Sequence, residues 1–343
     1  MEHSGMLKTL QAVLINYGFR REIQSIFPLT EPAKREKKRF LYRVDLQGET
    51  KVVLRFSCEE SFPRNIVEQQ CEFSEMLRAQ GIHVPKKFRS NNCFCTTTYG
   101  INDFNYVITA EEYVGEDLDA IEPKTFQWFG KLIGQIHAAS VRNPVPIDFS
   151  TVSRSLENGG AKFKRILDQS KYNIEKSEWI IRAGRRHDQL ADELRDMIPL
   201  LPKGSVHADL GLYNNLTIKG DRIYIIDFNL SGTEVYLFDM LISFYASIHK
   251  YSWRGRMTGM NEDDCLMDYL SGYLSAHRLS ESERCCYPRA AALFDGLFFS
   301  KSIIEEHNHT GDSECLEKFE NACRRFEAEG HVLPKLNGGR ERI

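Results

Sequence analysis

The sequence predicts an α+β fold in two parts: a small β-rich N-terminal part and a mainly helical C-terminal part. Three observations carry that prediction. Residues 40–56 alternate in two apolar runs around a turn, the period of a β-hairpin. From residue 123 onward, apolar residues recur instead at helical spacing. Between positions 205 and 227, a compact set of His, Asp and Asn side chains interrupts the helical part in strongly apolar surroundings.

Along the chain, residues 6–18 carry apolar positions at helical spacing and stop at Gly18, a suitable C-cap. In the hairpin, Phe40, Tyr42, Val44 and Leu46 alternate along the first strand and Val52, Leu54 and Phe56 along the second, while Lys51, Val53 and Arg55 share the opposite face of the second strand. Residues 64–80 read as a helix ended by Gly81, and 93–100 and 104–114 as two further strands. Phe126, Phe129, Leu132, Ile133 and Ile136 form one helical stripe, with Pro123 suited to the first turn. Residues 161–199 read as charged helix, and further helices are expected over 236–250, 262–277 and 284–306, with Ser280 and Glu283 as a capping box. The expected division is 1–110 as a sheet with a helix, 111–116 as a hinge, and 117–343 as a mainly helical part with a small β insertion.

The composition narrows the function. The chain has 343 residues, 42% hydrophobic and 27% charged, which suits a globular protein rather than a disordered one. A net charge of -3 gives no reason to expect nucleic-acid binding and favours a small or locally recognised partner. Nine irregularly spaced cysteines suggest a reducing compartment rather than a disulfide framework. The opening residues lack a signal-peptide pattern, and no run approaches the roughly 18 apolar residues of a membrane span. A cytoplasmic monomer or homodimer is expected, with no membrane partner. Cys93 and Cys95 read as ordinary strand or turn cysteines, and His307 and His309 as a polar helix end.

The stretch "HADLGLYN" followed by "RIYIIDF" holds the residue types that phosphoryl transfer needs. That reaction calls for positioning and for charge neutralisation, with hard oxygen donors for magnesium and a carboxylate beside the accepting hydroxyl. Asp209 is expected to face the acceptor hydroxyl as base or orienter, Asn214 to reach the metal, and His207 to brace the loop. Asp227 continues an apolar strand face with Ile223 and Ile225, which is unusual for a carboxylate unless it is paired or binds a metal.

These residues resemble the aminoglycoside phosphotransferase and choline kinase family, small-molecule kinases with a protein-kinase-like bilobal fold, over roughly residues 15–300. "HADLGLYN" stands where the family shows His-Gly-Asp and His-Pro-Gly-Asn, and "IIDF" where it shows Ile-Asp-Phe. The resemblance implies that Arg55 holds the nucleotide phosphates, steadied by Glu72 of the following helix, with Glu68 as the second choice. It implies that the backbone at Glu111, Glu112, Tyr113 and Val114 meets adenine. It also implies that Asp239 braces the catalytic loop. Gly211, Leu212 and Tyr213 replace the family's His-Pro-Gly, and the nucleotide loop has no glycine between Phe27 and Phe40, so the basic run "KREKKR" is a candidate substitute for backbone N–H groups. "NEDD" at 261–264 fits either a site for a cationic substrate or an acidic helix start.

The implied function is transfer of the γ-phosphate of ATP or GTP, with Mg2+, to a hydroxyl of a small molecule such as an aminoglycoside, amino alcohol, homoserine or sugar. The alternative is a catalytically weak or inactive kinase-like binding or scaffold protein.

Overall fold

The computed structural model describes residues 3–30, 39–96, 99–101, 104–117, 124–157, 163–165, 178–212, 215–250, 261–310 and 315–327. Its first elements are α1 (His3–Asn16), β1 (Ile23–Pro28), β2 (Arg39–Leu46), β3 (Lys51–Cys58), α2 (Arg64–Ala79), β4 (Tyr99–Ile101), β5 (Phe104–Glu112) and β6 (Glu116–Asp117). There follow α3 (Thr125–Arg142), α4 (Val152–Glu157), α5 (Glu178–Met197), β7 (Lys203–Val206), β8 (Leu216–Lys219), β9 (Arg222–Ile225) and β10 (Gly232–Val235). The last are α6 (Tyr236–Ile248), α7 (Glu262–Ala276), α8 (Glu281–Thr310) and α9 (Cys315–Phe326).

Two compact units result, one of Met1–Asp117 with Leu216–Asn229, the other of Leu118–Asn215 with Leu230–Ile343. The short hairpin β8–β9 therefore groups with the N-terminal sheet, although β7 and β10, which flank it in sequence, belong to the other unit.

In the first unit an antiparallel sheet has the order β1-β2-β3-β5-β4. The β2–β3 register sets Phe40 opposite Phe56, Tyr42 opposite Leu54 and Val44 opposite Val52, so the alternation read from the sequence becomes one apolar face. Helix α1 covers that face, packing Leu10, Val13, Leu14 and Tyr17 against Val44, Leu46, Val52, Leu54 and Phe56. Its end is fixed locally: Gly18 has φ 83, and Phe19 N–H donates to Leu14 O at 2.9 Å. The buried Tyr17 hydroxyl reaches Phe94 O and Ile108 O, each at 2.7 Å, tying α1 to the sheet.

Helix α2 lies on the other side, where Val67 and Cys71 pack with Phe94, Cys95 and Val107. Of the strand expected over 93–100, Thr97 and Thr98 lie outside the described residues. Cys93 and Cys95 make isolated bridges to Ser90 and Thr109, and β4 begins only at Tyr99. After β5 the chain passes Gly115, with φ 105, into β6, which pairs with β8. A Cβ on Gly115 would lie 1.9 Å from Ile218 O, so this expected hinge position admits only glycine.

The second unit is helical around a small pair of strands, β7 and β10, with Val206 opposite Gly232. Helices α3 and α7 cross closely because Gly130 lies against Tyr269 O and Gly272 against Gln127 O, where added Cβ atoms would each approach to 1.9 Å. Helix α8 opens on the capping box expected at 280–283, with Ser280 N–H donating to Glu283 Oε2 at 2.8 Å and Glu283 N–H donating back to Ser280 Oγ at 3.3 Å. Of the charged stretch expected as helix over 161–199, residues 161–162 and 166–177 lie outside the described residues, and α5 buries Ile180, Ala183, Leu190, Ala191 and Leu194. Among the described residues no helix is long and apolar enough to cross a membrane.

Candidate active site

Strand β3 alternates, so Arg55 leaves the sheet on the face opposite Leu54 and Phe56, and only 7% of it is exposed. A charged group so buried needs partners. Arg55 Nη1 donates to Asp227 Oδ1 at 2.6 Å, and Arg39 Nη2 donates to Asp227 Oδ2 at 3.3 Å. Arg39 is the last residue of the basic run, so that run does supply a cation to this place. Burial works against the charged guanidinium of Arg55, but the charges of Asp227 and then Glu111 more than offset it, and Arg55 is held above its ordinary range. Asp227 does not continue a strand face. Strand β9 stops at Ile225, and Asp227 has φ 66, so a left-handed residue and not strand alternation aims its carboxylate.

Glu72 does not steady Arg55. Helix α2 buries Ile66, Val67, Gln70, Cys71, Phe73, Ser74 and Leu77, and Glu72 falls on its exposed side. Glu68 is engaged elsewhere, accepting from Phe94 N–H at 2.9 Å and Cys95 N–H at 2.8 Å. The helix presents a neutral side chain here instead: Gln70 Nε2 donates to Asn229 O at 3.0 Å. Glu111 turns its side chain inward and pairs with Lys87, both buried. Of the other expected hinge residues, Glu112 N–H donates to Lys86 O at 2.9 Å and Tyr113 N–H to Lys51 O at 3.2 Å, so both amides are already paired with backbone carbonyls. The Glu112 carboxylate accepts from Lys219 Nζ at 2.6 Å, and Val114 O accepts from Thr217 Oγ1 at 3.4 Å.

The second unit holds the loop that follows β7. His207 is fully buried, which suits a brace, and Ala208 has φ 65. That unusual backbone is held by Asp239 in the first turn of α6, whose Oδ1 accepts from Ala208 N–H at 2.9 Å. Asp239 Oδ2 lies 2.9 Å from His137 Nε2, and His137 Nδ1 lies 3.0 Å from the Tyr273 hydroxyl. Leu212 N–H donates to Ser247 Oγ at 3.1 Å. The loop is thus pinned on both sides of the half-buried Asp209. Asn214 and Tyr213 lie outside the described residues. Its neighbour Asn215 is buried, and its Oδ1 has no partner among the described residues.

Asp239→Ala is expected to lower unfolding free energy by roughly 3 kcal/mol, because it orphans the Ala208 N–H and the buried Nε2 of His137 together. Urea denaturation of the two proteins checks this; a loss below 1 kcal/mol would show that the brace is dispensable.

No family model matches the sequence, and no curated protein does. Solved structures match over nearly the whole chain. An amicoumacin kinase, hAmiN, in complex with AMP-PNP, Ca2+ and Ami is 14% identical, with a TM-score of 0.67 over 97% of this chain and 96% of its own. A microcompartment-associated aminopropanol kinase is 18% identical, with a TM-score of 0.64 over 93% and 95%. A choline kinase from Streptococcus pneumoniae, LicA, is 16% identical, with a TM-score of 0.52 over 94% and 99%. The fold is that of the aminoglycoside phosphotransferase and choline kinase group.

Within this aminoglycoside phosphotransferase-like fold, the buried pair Lys87–Glu111 is the part of the candidate site that sequence reading missed. Lys87 sits in "VPKKFRS", where nothing local marks one of two adjacent lysines as buried. The acidic start of α7 resolves to structure rather than to an open cation site. Asn261 caps the helix, accepting from Asp263 N–H at 2.8 Å, and Glu262 is held by Arg325 at 2.9 Å and 3.0 Å. His249, Glu262 and Asp295 lie close enough to share a metal. Arg325 already supplies the positive charge there, donating to Asp295 at 2.7 Å and 2.9 Å, so the cluster is an ion-pair network that ties α9 to the helices.

Proposed function

We propose that this protein is a nucleotide-dependent kinase for a small alcohol, moving the γ-phosphoryl group of ATP or GTP to an acceptor hydroxyl. The observation that carries this reading is the Arg55–Asp227 ion pair, set on the fold of a group whose solved members include small-molecule kinases. A buried arginine and a carboxylate held by it are what a phosphate and a hard cation could each take over.

In this reading Arg55 and Arg39 hold phosphate oxygens, and adenine meets the backbone near Val114, since the amides of Glu112 and Tyr113 are already engaged. Magnesium fits the donor set, which offers only carboxylate and amide oxygens. Asp227 and Asn214 would hold it, and when bound it supplies positive charge against the phosphates. Asp209 orients the acceptor hydroxyl and takes its proton as the acceptor oxygen bonds to the γ-phosphorus. The bond to the β–γ bridging oxygen breaks, and the nucleoside diphosphate leaves. The acceptor class is an aminoglycoside, amino alcohol, homoserine or sugar. The names of the structural neighbours put amine-bearing alcohols first in that order. The protein acts in a reducing, cytoplasmic setting.

Purified protein screened for nucleoside diphosphate production against these four acceptor classes, with ATP and with GTP, is expected to show acceptor-dependent turnover. Thermal melts with each nucleotide, with and without Mg2+, run beside the screen. Folded protein that neither nucleotide stabilises would identify a kinase-like scaffold instead and end the catalytic reading.

A further inference from the structure

A phosphate-holding cation in such a site needs an acid to aim it. Asp227 cannot serve alone, because a carboxylate that takes a metal ion is a weaker partner for arginine. The helix that was expected to supply the acid does not: Glu72 is exposed, Glu68 caps two backbone amides, and Gln70 is neutral.

The sheet itself brings another acid to Arg55. In the β3–β5 register Arg55 faces Thr109 and Val53 faces Glu111. Arg55 and Glu111 are therefore diagonal neighbours on one face, within reach of two long side chains. Both are buried, with 7% and 6% exposed. Glu111 is fixed from its other side by Lys87, on the segment that pairs with β5 at this point. Lys87 and Arg55 line one cavity together with Gln70 and Cys71. Four buried or half-buried charges thus alternate in sign: Lys87, Glu111, Arg55, Asp227. Glu111 also contributes to keeping Arg55 charged.

We propose that Glu111, anchored by Lys87, is the positioning acid for Arg55, taking the part that a helix glutamate was expected to play. Arg55 then keeps one anionic partner when Asp227 turns to a metal ion. The inference rests on the reading of Arg55 as a phosphate-binding cation.

The obvious objection is that Glu111 merely neutralises a buried lysine. A double variant separates the two roles. Glu111→Gln alone strands Lys87, whereas Glu111→Gln with Lys87→Met removes the pair and leaves no stranded charge. Binding of non-hydrolysable ATP and GTP analogues with Mg2+ is measured by calorimetry, with the melting temperature of each variant alongside. The double variant is expected to melt near the wild type yet bind about tenfold more weakly, because Arg55 loses the charge of a buried neighbour. Glu72→Gln is expected to bind as the wild type does. A double variant of wild-type affinity, or an equal loss in Glu72→Gln, overturns the inference. If the double variant does not fold, Glu111→Asp keeps the charge and shortens its reach. Weaker binding then supports the proposal, and unchanged binding sinks it. Arg55→Ala tests the underlying reading separately: undiminished affinity there, or no affinity in the wild type, removes the phosphate role and this inference with it.

Discussion

Asp209→Ala is expected to cut turnover by about 10³-fold while leaving Mg2+-dependent nucleotide binding largely intact. The expectation follows from where the loop is held. Ala208, immediately before Asp209, is fixed through its N–H by Asp239, and Leu212, three residues after it, by Ser247. Removing the carboxylate between two pinned positions should not release the backbone. Under the proposed function, what is lost is the group that aligns the acceptor hydroxyl and accepts its proton, a contribution made at the reacting centre and not to nucleotide affinity. The signature is therefore a fall in kcat with a nearly constant nucleotide dissociation constant and melting temperature. Asp209→Asn, which keeps the shape and some hydrogen bonding, should fall less far if orientation dominates, and equally far if proton acceptance does. Normal turnover in Asp209→Ala would falsify the assignment of the base.

The elements legible in the sequence are those fixed by short-range rules. The β2–β3 hairpin follows from alternation, the end of α1 from Gly18, and the start of α8 from Ser280 and Glu283. Asp239 was legible through family resemblance, and the structure gives it the bracing bonds that role requires. The interior of the candidate site was less legible, because it depends on how elements turn toward one another. Helix α2 carries acids at 68, 72 and 75, and only its rotation decides which one faces in. Its buried stripe runs through Val67, Gln70, Cys71, Ser74 and Leu77, so a stricter count of helical period would have put Gln70 inside and Glu72 outside. Lys87 carried no comparable signal, since its burial depends on pairing with Glu111 24 residues away. Asp227 stands out in the sequence by its chemistry, but its aim comes from its own backbone and not from strand alternation. A left-handed backbone at a non-glycine residue has no dependable sequence mark, and strained conformations of this kind gather at functional sites.

That conformation frames the second large effect, expected in Asp227→Ala. In wild-type protein Mg2+ should strengthen nucleotide binding, and in the variant the affinities with and without Mg2+ should become equal. The variant should also lose roughly 2–4 kcal/mol of stability, because Arg55 is left buried without its nearest acid. That figure sits below the cost for a fully buried pair, since the Asp227 side chain is 24% exposed. A third consequence has the opposite sign. Without metal, both Asp227 oxygens are held by Arg55 and Arg39, so the carboxylate competes with any phosphate for the same two cations. Deleting it frees them, and metal-free nucleotide should bind the variant more tightly than it binds the wild type. A destabilised fold alone weakens binding under both conditions, so the gain without metal, set against the loss with it, separates a specific exchange of partners from general damage. Calorimetric titration of ADP into both proteins, with Mg2+ and with chelator, reads all four affinities. A variant that kept the full response to Mg2+ would mean that Asp227 serves only as the counter-charge for two arginines, and the metal would have to be held elsewhere.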